Sequence, residues 1–418
     1  MFDFDKWQEI WMTIRKNKLR TFLTMFGVFW GIFMLLLLLG GGSGLRNGVN
    51  KDFVNGATNS VYMWSQRTTM PYKGFKPGRY FNFNNSDTEF LRDNINYAEV
   101  ISPRNQLGGY RDANNVTRKN KAGAFSVYGD FPDFLRIKYM VMPEGRFINP
   151  LDIDYKRKVC VIGKGVQNIL FEEDEDPVGD FLKINGIYFK IIGTHKSRAE
   201  GDEQDRDQQS IYIPFTTFQN VFNYGDIVGW YAMIPKEGYS SEKLEEDAAA
   251  ILKERHSVHP EDKRGIGSYN AEEEFAEIQA LFTGINTFIW IVGIGTLLAG
   301  VIGVSNIMLI IVKERTKEIG IRKSLGATPW SIIALIIQES IFITLIAGYG
   351  GLLLGTILVE GINKLIEGQE TGMFAHPEID LQVALIALFV LVLGGALAGL
   401  IPARKAAAVD PIEALRTE

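Results

Sequence analysis

Four short strings in this sequence carry residues whose types and spacing suit chemistry. His256-Ser257-Val258-His259 puts two imidazoles three residues apart, a spacing that suits a transition metal. Glu172-Glu173-Asp174-Glu175-Asp176 concentrates carboxylates that would attract calcium, and Gly163-Lys164-Gly165 is the nearest string to a phosphate-cradling loop. Glu339 is a carboxylate inside a long apolar run, a setting that often marks an ion pathway. Each falls short. The histidines lie in polar sequence just before Pro260, where a loop is expected. The acidic string precedes Pro177 and lacks the spacing and the glycine of a calcium-binding loop. The residue that would hold magnesium, a hydroxyl directly after lysine, is missing from the glycine string. One carboxylate near a helix entry suits a hydrogen bond to a neighbouring helix end better than a proton relay. The lone Cys160 excludes an intrachain disulfide and a cysteine zinc cluster. The expectation is a chain that is not an enzyme, with no catalytic residue, no metal site and no cofactor of its own.

The elements around these strings are more informative. Over 418 residues the mean hydropathy is near zero, +0.01, and the net charge is −5, which excludes a disordered tail and a strongly basic nucleic-acid binder. That average conceals four uncharged stretches of the ~20 apolar residues needed to cross a bilayer. They are Thr21–Leu45, Ile285–Val312, a run through Ser340–Val359 that starts near Ile332, and Leu381–Ala403. The first is too long for a cleaved signal peptide and ends in Gly40-Gly41-Gly42-Ser43-Gly44, not in a cleavage site. The fold class expected is a membrane protein: four transmembrane α-helices with a large α+β extracytoplasmic domain inserted between the first and second span.

Basic residues next to the spans set the orientation. Lys6, Arg15, Lys16, Lys18 and Arg20 precede the first span, and Lys313, Arg315, Lys317, Arg322 and Lys323 lie between the second and third. The loop 361–380 has only Lys364 against Glu367, Glu370, Glu378 and Asp380. Both termini are therefore expected in the cytoplasm, and residues about 46–277 outside the cell (inner) membrane. Residues 1–45 hold 5 basic and 3 acidic groups and residues 278–418 hold 9 and 11, so 30 of the 44 basic and 35 of the 49 acidic groups fall outside. The whole formal charge sits in the external domain, which therefore does not read as built to grip nucleic acid or anionic lipid.

The expected order is as follows. An interfacial helix at 1–20, its Trp7 and Trp11 anchored in membrane lipid, leads into a span at 21–45. The α+β domain occupies 46–268 in two lobes, with strand patterns at 159–163 and 181–193 and a hairpin turn at Asn185-Gly186. The polar run Arg198–Gln209 reads as a surface loop. A stalk and second span fill 269–312, entered without a break from a capping-box-like start at Asn270 and Glu273. A cytoplasmic helix at 313–328, a span at 329–360, the external loop 361–380, a span at 381–403 and a tail at 404–418 follow.

The helix at 313–328 stands out. Gly326 suits its left-handed C-terminal cap, Thr328 the next N-cap and Pro329 the first position of the next helix. A short, capped, charged helix between two spans suits docking of a cytoplasmic partner. Ile319, Ile321 and Leu325 would fill the partner's groove while Glu314, Glu318, Arg322 and Lys323 set register; lipid headgroup contact is the plainer alternative. In the spans, Gly351 with Gly355 and Gly395 with Gly399 have the four-residue spacing that lets helix backbones touch.

Taken together, these segments resemble the MacB/FtsX-like permeases of ABC transporters. The resemblance rests on Asn17-Lys18-Leu19-Arg20-Thr21-Phe22-Leu23-Thr24, on Val161-Ile162-Gly163 and Asp176-Pro177-Val178-Gly179, on the loop Arg315 to Ala327, and on Pro402-Ala403-Arg404-Lys405-Ala406-Ala407. It implies that the loop helix (Glu314, Arg315, Glu318, Ile319, Gly320, Ile321, Arg322, Lys323, Leu325 and Gly326) couples to an ABC ATPase, which would hold the ATP and magnesium. Because the chain starts about 20 residues before the first span, that ATPase is expected to be a separate subunit. The resemblance also implies a homodimer or a paralogous permease heterodimer acting by mechanotransmission, with a membrane-fusion adaptor and outer-membrane channel as further partners. Export of antimicrobial compounds, peptides or lipids is the function expected. Lipoprotein release, and FtsX-like control of cell-wall hydrolases or peptide sensing, are the alternatives.

The orientation is testable. A cysteine placed at Asn185 should react with an impermeant thiol reagent in intact cells lacking an outer barrier, and one at Ser324 should not; the reverse pattern would overturn the topology.

Overall fold

The computed structural model describes residues 18–53, 56–108, 113–173, 175–198, 202–366 and 374–410, so the expected anchors Trp7 and Trp11 lie outside the described residues. Two compact units are present, Met1–Gly48 with Leu281–Glu418, and Val49–Ala280.

The first unit is helical. Its elements are α1 (Lys18–Phe53) as far as Gly48, α2 (Ala271–Glu314) from Leu281 on, the short α3 (Thr316–Ser324), α4 (Pro329–Ile366) and α5 (Leu381–Ala407). Four segments are long and apolar enough to cross a bilayer: Met25–Asn50 within α1, and α2, α4 and α5, with mean hydropathies from 2.1 to 2.7. Packing rests on small residues, because lipid offers no hydrophobic drive between helices. A Cβ on Gly351 would stand 2.6 Å from the Phe29 carbonyl oxygen of α1, and one on Gly355 3.1 Å from Leu36. On α5, a Cβ at Gly395 would collide with the Thr344 hydroxyl, and one at Gly399 would stand 3.0 Å from the Ser340 Cβ of α4. The Ser340 hydroxyl donates to the Gly395 carbonyl at 2.6 Å, a bond that close backbone approach makes possible.

The first span is expected over 21–45; the helix that carries it runs through the glycines at 40–44 and continues to Phe53. In hydrocarbon an unpaired peptide group costs several kcal/mol, more than the ~1 kcal/mol helix penalty of a glycine. The missing side chains also serve contact, since a Cβ on Gly40 would lie 2.8 Å from Val359 and one on Gly42 3.1 Å from Ile289. Helix α2 runs unbroken for 44 residues, about 66 Å at 1.5 Å per residue, too long for a bilayer core alone. At its start the Asn270 side-chain oxygen accepts from the Glu272 and Glu273 amides at 3.1 and 3.4 Å.

The second unit is α+β. Strands Ala98–Gln106, Trp230–Pro235, Val61–Ser65 and Ile266–Asn270 form, in that order, an antiparallel sheet. Helices Asn85–Asn94 and Ser241–Arg255 bury Leu91, Leu244, Ala248 and Leu252 in its core. Six further strands close on themselves: Ser210–Pro214, Val159–Gly163, Ile187–Ser197, Phe181–Ile184, Asn114–Arg118, Lys121–Asp130 and back to Ser210–Pro214, with Met140–Gly145 added beside Ile187–Ser197. Val116, Phe125, Ile162, Leu182, Phe189 and Ile211 belong to the core of this ring. Asn185 and Gly186, both at positive φ (43° and 93°), make its tight hairpin. The sheet and ring meet where Asn105 and Gln106 pair with Gly129 and Tyr128. Beside that junction the buried Arg104 donates to Asp130 at 2.9 Å and lies 3.6 Å from the centre of the Phe134 ring.

The polar run 198–209 is not a plain loop, because Asp202–Gln208 is a helix. It lacks the apolar stripe that a sequence pattern would show, and polar contacts hold it instead. Asp207 accepts from Ser197 at 2.7 Å and pairs with Lys138. Cys160 is fully buried in the ring, and that burial raises its thiol pKa, so the native cysteine is a silent background for surface labelling.

Replacing Gly351 by Leu should destabilise the purified protein in thermal unfolding by about 1–3 kcal/mol through overpacking against α1. Gly303, whose Cβ position has nothing within 4 Å, should accept Leu without loss. Equal effects at the two positions would contradict the packing assignment.

Candidate functional site

The segment between α2 and α4 is built around a break in the chain. Arg315 leaves helical geometry (φ −99°, ψ 13°) and ends α2, and α3 begins at Thr316. The displaced side chain is then free to reach two carboxylates. Its guanidinium donates to Glu318 at 3.1 Å, one turn along α3, and to Glu339 of α4 at 3.4 Å. Glu339 is 2% exposed, so this pairing places a cation beside a carboxylate with little access to water. Glu318 also accepts from Arg322 at 3.0 Å. Arg322, Glu318, Arg315 and Glu339 therefore form one alternating string of charge from the surface of α3 into α4.

Three further contacts fasten α3 to its own bundle. Ile319 and Gly320 are buried, Ile319 in a cluster with Met308, Ile311, Ile332, Ile336 and Ala403. Lys323 donates to the carbonyls of Ala407 and Val409, at 2.8 and 2.7 Å, capping the end of α5 with a cation as helix C-termini favour. Gly326 takes φ +95° and reverses the chain, a conformation that glycine adopts without steric cost. The Thr328 hydroxyl then accepts from the Ser331 amide at 3.3 Å, and Pro329 opens α4.

This arrangement alters the roles expected from the sequence. Ile319 does not point outward to fill a partner's groove, because its helical phase turns it into the bundle. Lys323 is engaged by the carbonyls of its own chain. Glu318 pairs with both Arg322 and Arg315. Ile321 and Leu325 do remain exposed, at 46% and 83%, and Glu314 is exposed at the end of α2. Trp330 joins them at 78% exposed. Sequence reasoning passed over it, although a tryptophan directly after the N1 proline of a span was the available signal. The result is a helix–turn–helix corner fastened on one side and apolar on the other.

The other candidate strings are structural. His256 Nε2 lies 2.7 Å from Asp87, and its ring stacks 4.9 Å from Phe81. His259 meets Tyr72 edge-on at 5.3 Å. Glu175 accepts from Arg118 at 2.8 Å, and these bonds hold its carboxyl down to about 2. Gly163 and Gly165 let the chain approach the backbone of Gln208, and Lys164 donates to Gln167 at 2.9 Å. Among the described residues no three His, Cys, Asp or Glu side chains gather as a metal site would require.

Four apolar helices, a fastened helical corner between the second and third, and an α+β domain between the first and second define a membrane permease architecture. Residues 21–251 match the family model of the MacB-like periplasmic core domain, and residues 290–411 that of the FtsX-like permease C-terminal region; the chain belongs to this MacB/FtsX-like family of ABC transporter permeases. It is 28% identical over 412 residues to an uncharacterized ABC transporter permease of Methanocaldococcus jannaschii, covering 97% of this chain and 96% of that one. It is 27% identical over 410 residues to the macrolide export ATP-binding/permease protein MacB of Bdellovibrio bacteriovorus, covering 97% and 60%. Against the pyoverdine export ATP-binding/permease protein PvdT of Pseudomonas entomophila, identity is 27% over 417 residues, covering 98% and 59%. The chain thus spans about three fifths of the length of these ATP-binding/permease relatives. The crystal structure of the periplasmic region of MacB from Actinobacillus actinomycetemcomitans aligns with 54% of this chain and 94% of its own at 17% identity, with a TM-score of 0.43.

Breaking the buried pair should cost more than deleting it. Arg315→Met alone should lower stability by about 3 kcal/mol, by stranding the Glu339 carboxylate, whereas Arg315→Met with Glu339→Leu should recover most of that loss. Thermal unfolding in detergent would decide; additive losses would contradict the pairing.

Proposed function

We propose that this chain is the permease of an exporter, and that an ABC ATPase docks on the corner formed by α3 and the start of α4. The observation that carries the reading is the two-sided character of that corner. Its inner side is fixed by Ile319, Gly320, Lys323 and the Arg315–Glu339 pair, while Ile321, Leu325 and Trp330 stand exposed. Exposed apolar anchors beside charged residues have the composition of an interface centre. A fixed inner side means that displacement of α3 must move α2, α4 and α5 with it.

On this reading ATP and magnesium are held by the ATPase, and nucleotide-driven closure of two ATPase subunits moves the ends of the spans. Helix α2 has no break between the α+β domain and the spanning region, so it suits a rigid relay to that domain. The basic flanks of α2 and α4 support a cytoplasmic corner and an external α+β domain. Two permease chains, identical or paralogous, would pair to receive two ATPase subunits. The relatives named for macrolide and pyoverdine export support export as the direction, with antimicrobial compounds, peptides or lipids as cargo. An adaptor and an outer-membrane channel would complete the route where a second membrane exists.

Leu325→Asp with Trp330→Ala should uncouple the protein. Both side chains are exposed, so thermal stability should stay within about 0.5 kcal/mol of the parent. Permease-dependent stimulation of the ATPase in proteoliposomes should fall at least about tenfold. Full stimulation by the double variant would refute the docking assignment.

A further inference from the structure

The α+β unit contains an open groove of ≈ 410 Å³. One wall is the run Ala98-Glu99-Val100-Ile101. Successive residues of a strand point to opposite faces, so a cavity lined by four in a row lies along the strand's edge and not against a face. The pairings agree. Ala98–Arg104 is bonded to Trp230–Pro235 on one side, whereas its other side meets a strand only from Asn105 onward. On that open side the Arg92 side chain donates to the Ile101 carbonyl at 2.9 Å, and Arg136 pairs with Glu99. An edge strand of this kind is a template for a further strand.

The opposite wall combines apolar surface with negative charge. Phe131, Pro132 and Ile153 line it together with Asp133 and Asp154. Both aspartates are exposed, and neither forms an ion pair among the described residues. Two cations offset part of this charge, Arg92, which donates to the Ile101 carbonyl, and Arg136, which pairs with Glu99, and three carboxylates, Glu99, Asp133 and Asp154, outnumber them. An occupant must therefore bring backbone N–H and C=O groups to an edge, apolar side chains to Phe131 and Ile153, and positive charge to two free carboxylates. The Ala98 amide and the Ile101 carbonyl are already bonded, to Ile95 and Arg92, so the edge left open is short and limits the occupant to a short segment.

We propose that this groove binds a short basic peptide in extended conformation, added as a strand along Ala98–Ile101 with its cationic side chains on Asp133 and Asp154. The peptide's status as cargo rests on the export reading; its binding does not.

The test uses the full chain in lipid nanodiscs without ATPase, with a fluorescein-labelled hexapeptide of alternating lysine and valine as the probe. Saturable binding by anisotropy is expected in the micromolar range. Asp133→Asn with Asp154→Asn should weaken it about tenfold, and glutamate in place of lysine should abolish it. N-methylation of alternate peptide amides should also abolish it, because a strand edge recognises the backbone. Undiminished binding of the N-methylated peptide, indifference to the asparagine pair in a variant that unfolds at the parent's temperature, or no saturation would each overturn the site. Failure here leaves the export reading to be judged by the ATPase-coupled assay with the corner variants.

Discussion

The membrane unit depends on how a chain can turn round at the edge of a bilayer. Between Glu314 and Pro329 it ends one span, forms α3 and begins another, leaving the terminal backbone groups of three helices to be satisfied. Arg315 is the residue on which this turn hinges. By leaving helical geometry it ends α2, and its side chain then joins Glu318 of α3 to Glu339 of α4. A carboxylate as buried as Glu339 is costly without a cation, and a cation held this close fixes the angle of the short helix. Lys323 and Gly326 complete the turn, one on the carbonyls at the end of α5 and one by reversing the chain. A corner held at so many points suits the permease proposal, in which it would move as a body.

The α+β unit solves a different problem, that of strand edges in water. Its ring of six strands closes on itself and leaves no long edge, while the four-stranded sheet retains edges. Where ring and sheet meet, the buried Arg104 and Asp130 satisfy each other beneath the aromatic rings of Phe134, Tyr128 and Trp230. That junction leaves one edge of Ala98–Ile101 without a partner strand beside Phe131 and Ile153. The groove is therefore a consequence of joining a closed ring to an open sheet by only two residue pairs.

Much of this was legible in the sequence because it rests on local rules. Uncharged length gave the spans, Gly326, Thr328 and Pro329 gave the end of α3 and the start of α4, and Asn185-Gly186 gave the hairpin. What stayed hidden depends on partners distant in the chain. The inward phase of Ile319 is set by Ile332 and Ala403, and the role of Lys323 by carbonyls more than 80 residues away. The helix at Asp202–Gln208 has no apolar stripe to announce it, and Glu339 gave no sign that its partner would be Arg315. The glycine-rich run at 40–44 stays helical because bilayer physics and contacts to Val359 and Ile289 keep it so.

The central claim is that the corner of α3 and α4 receives the ATPase and passes its motion on. Hydrogen exchange of the reconstituted permease, with and without its ATPase trapped in ATP, tests this most directly. The account requires added protection over residues 321–331 on binding, together with altered exchange in the α+β unit when nucleotide is present. Protection confined to other cytoplasmic segments, with 321–331 unchanged, would contradict it.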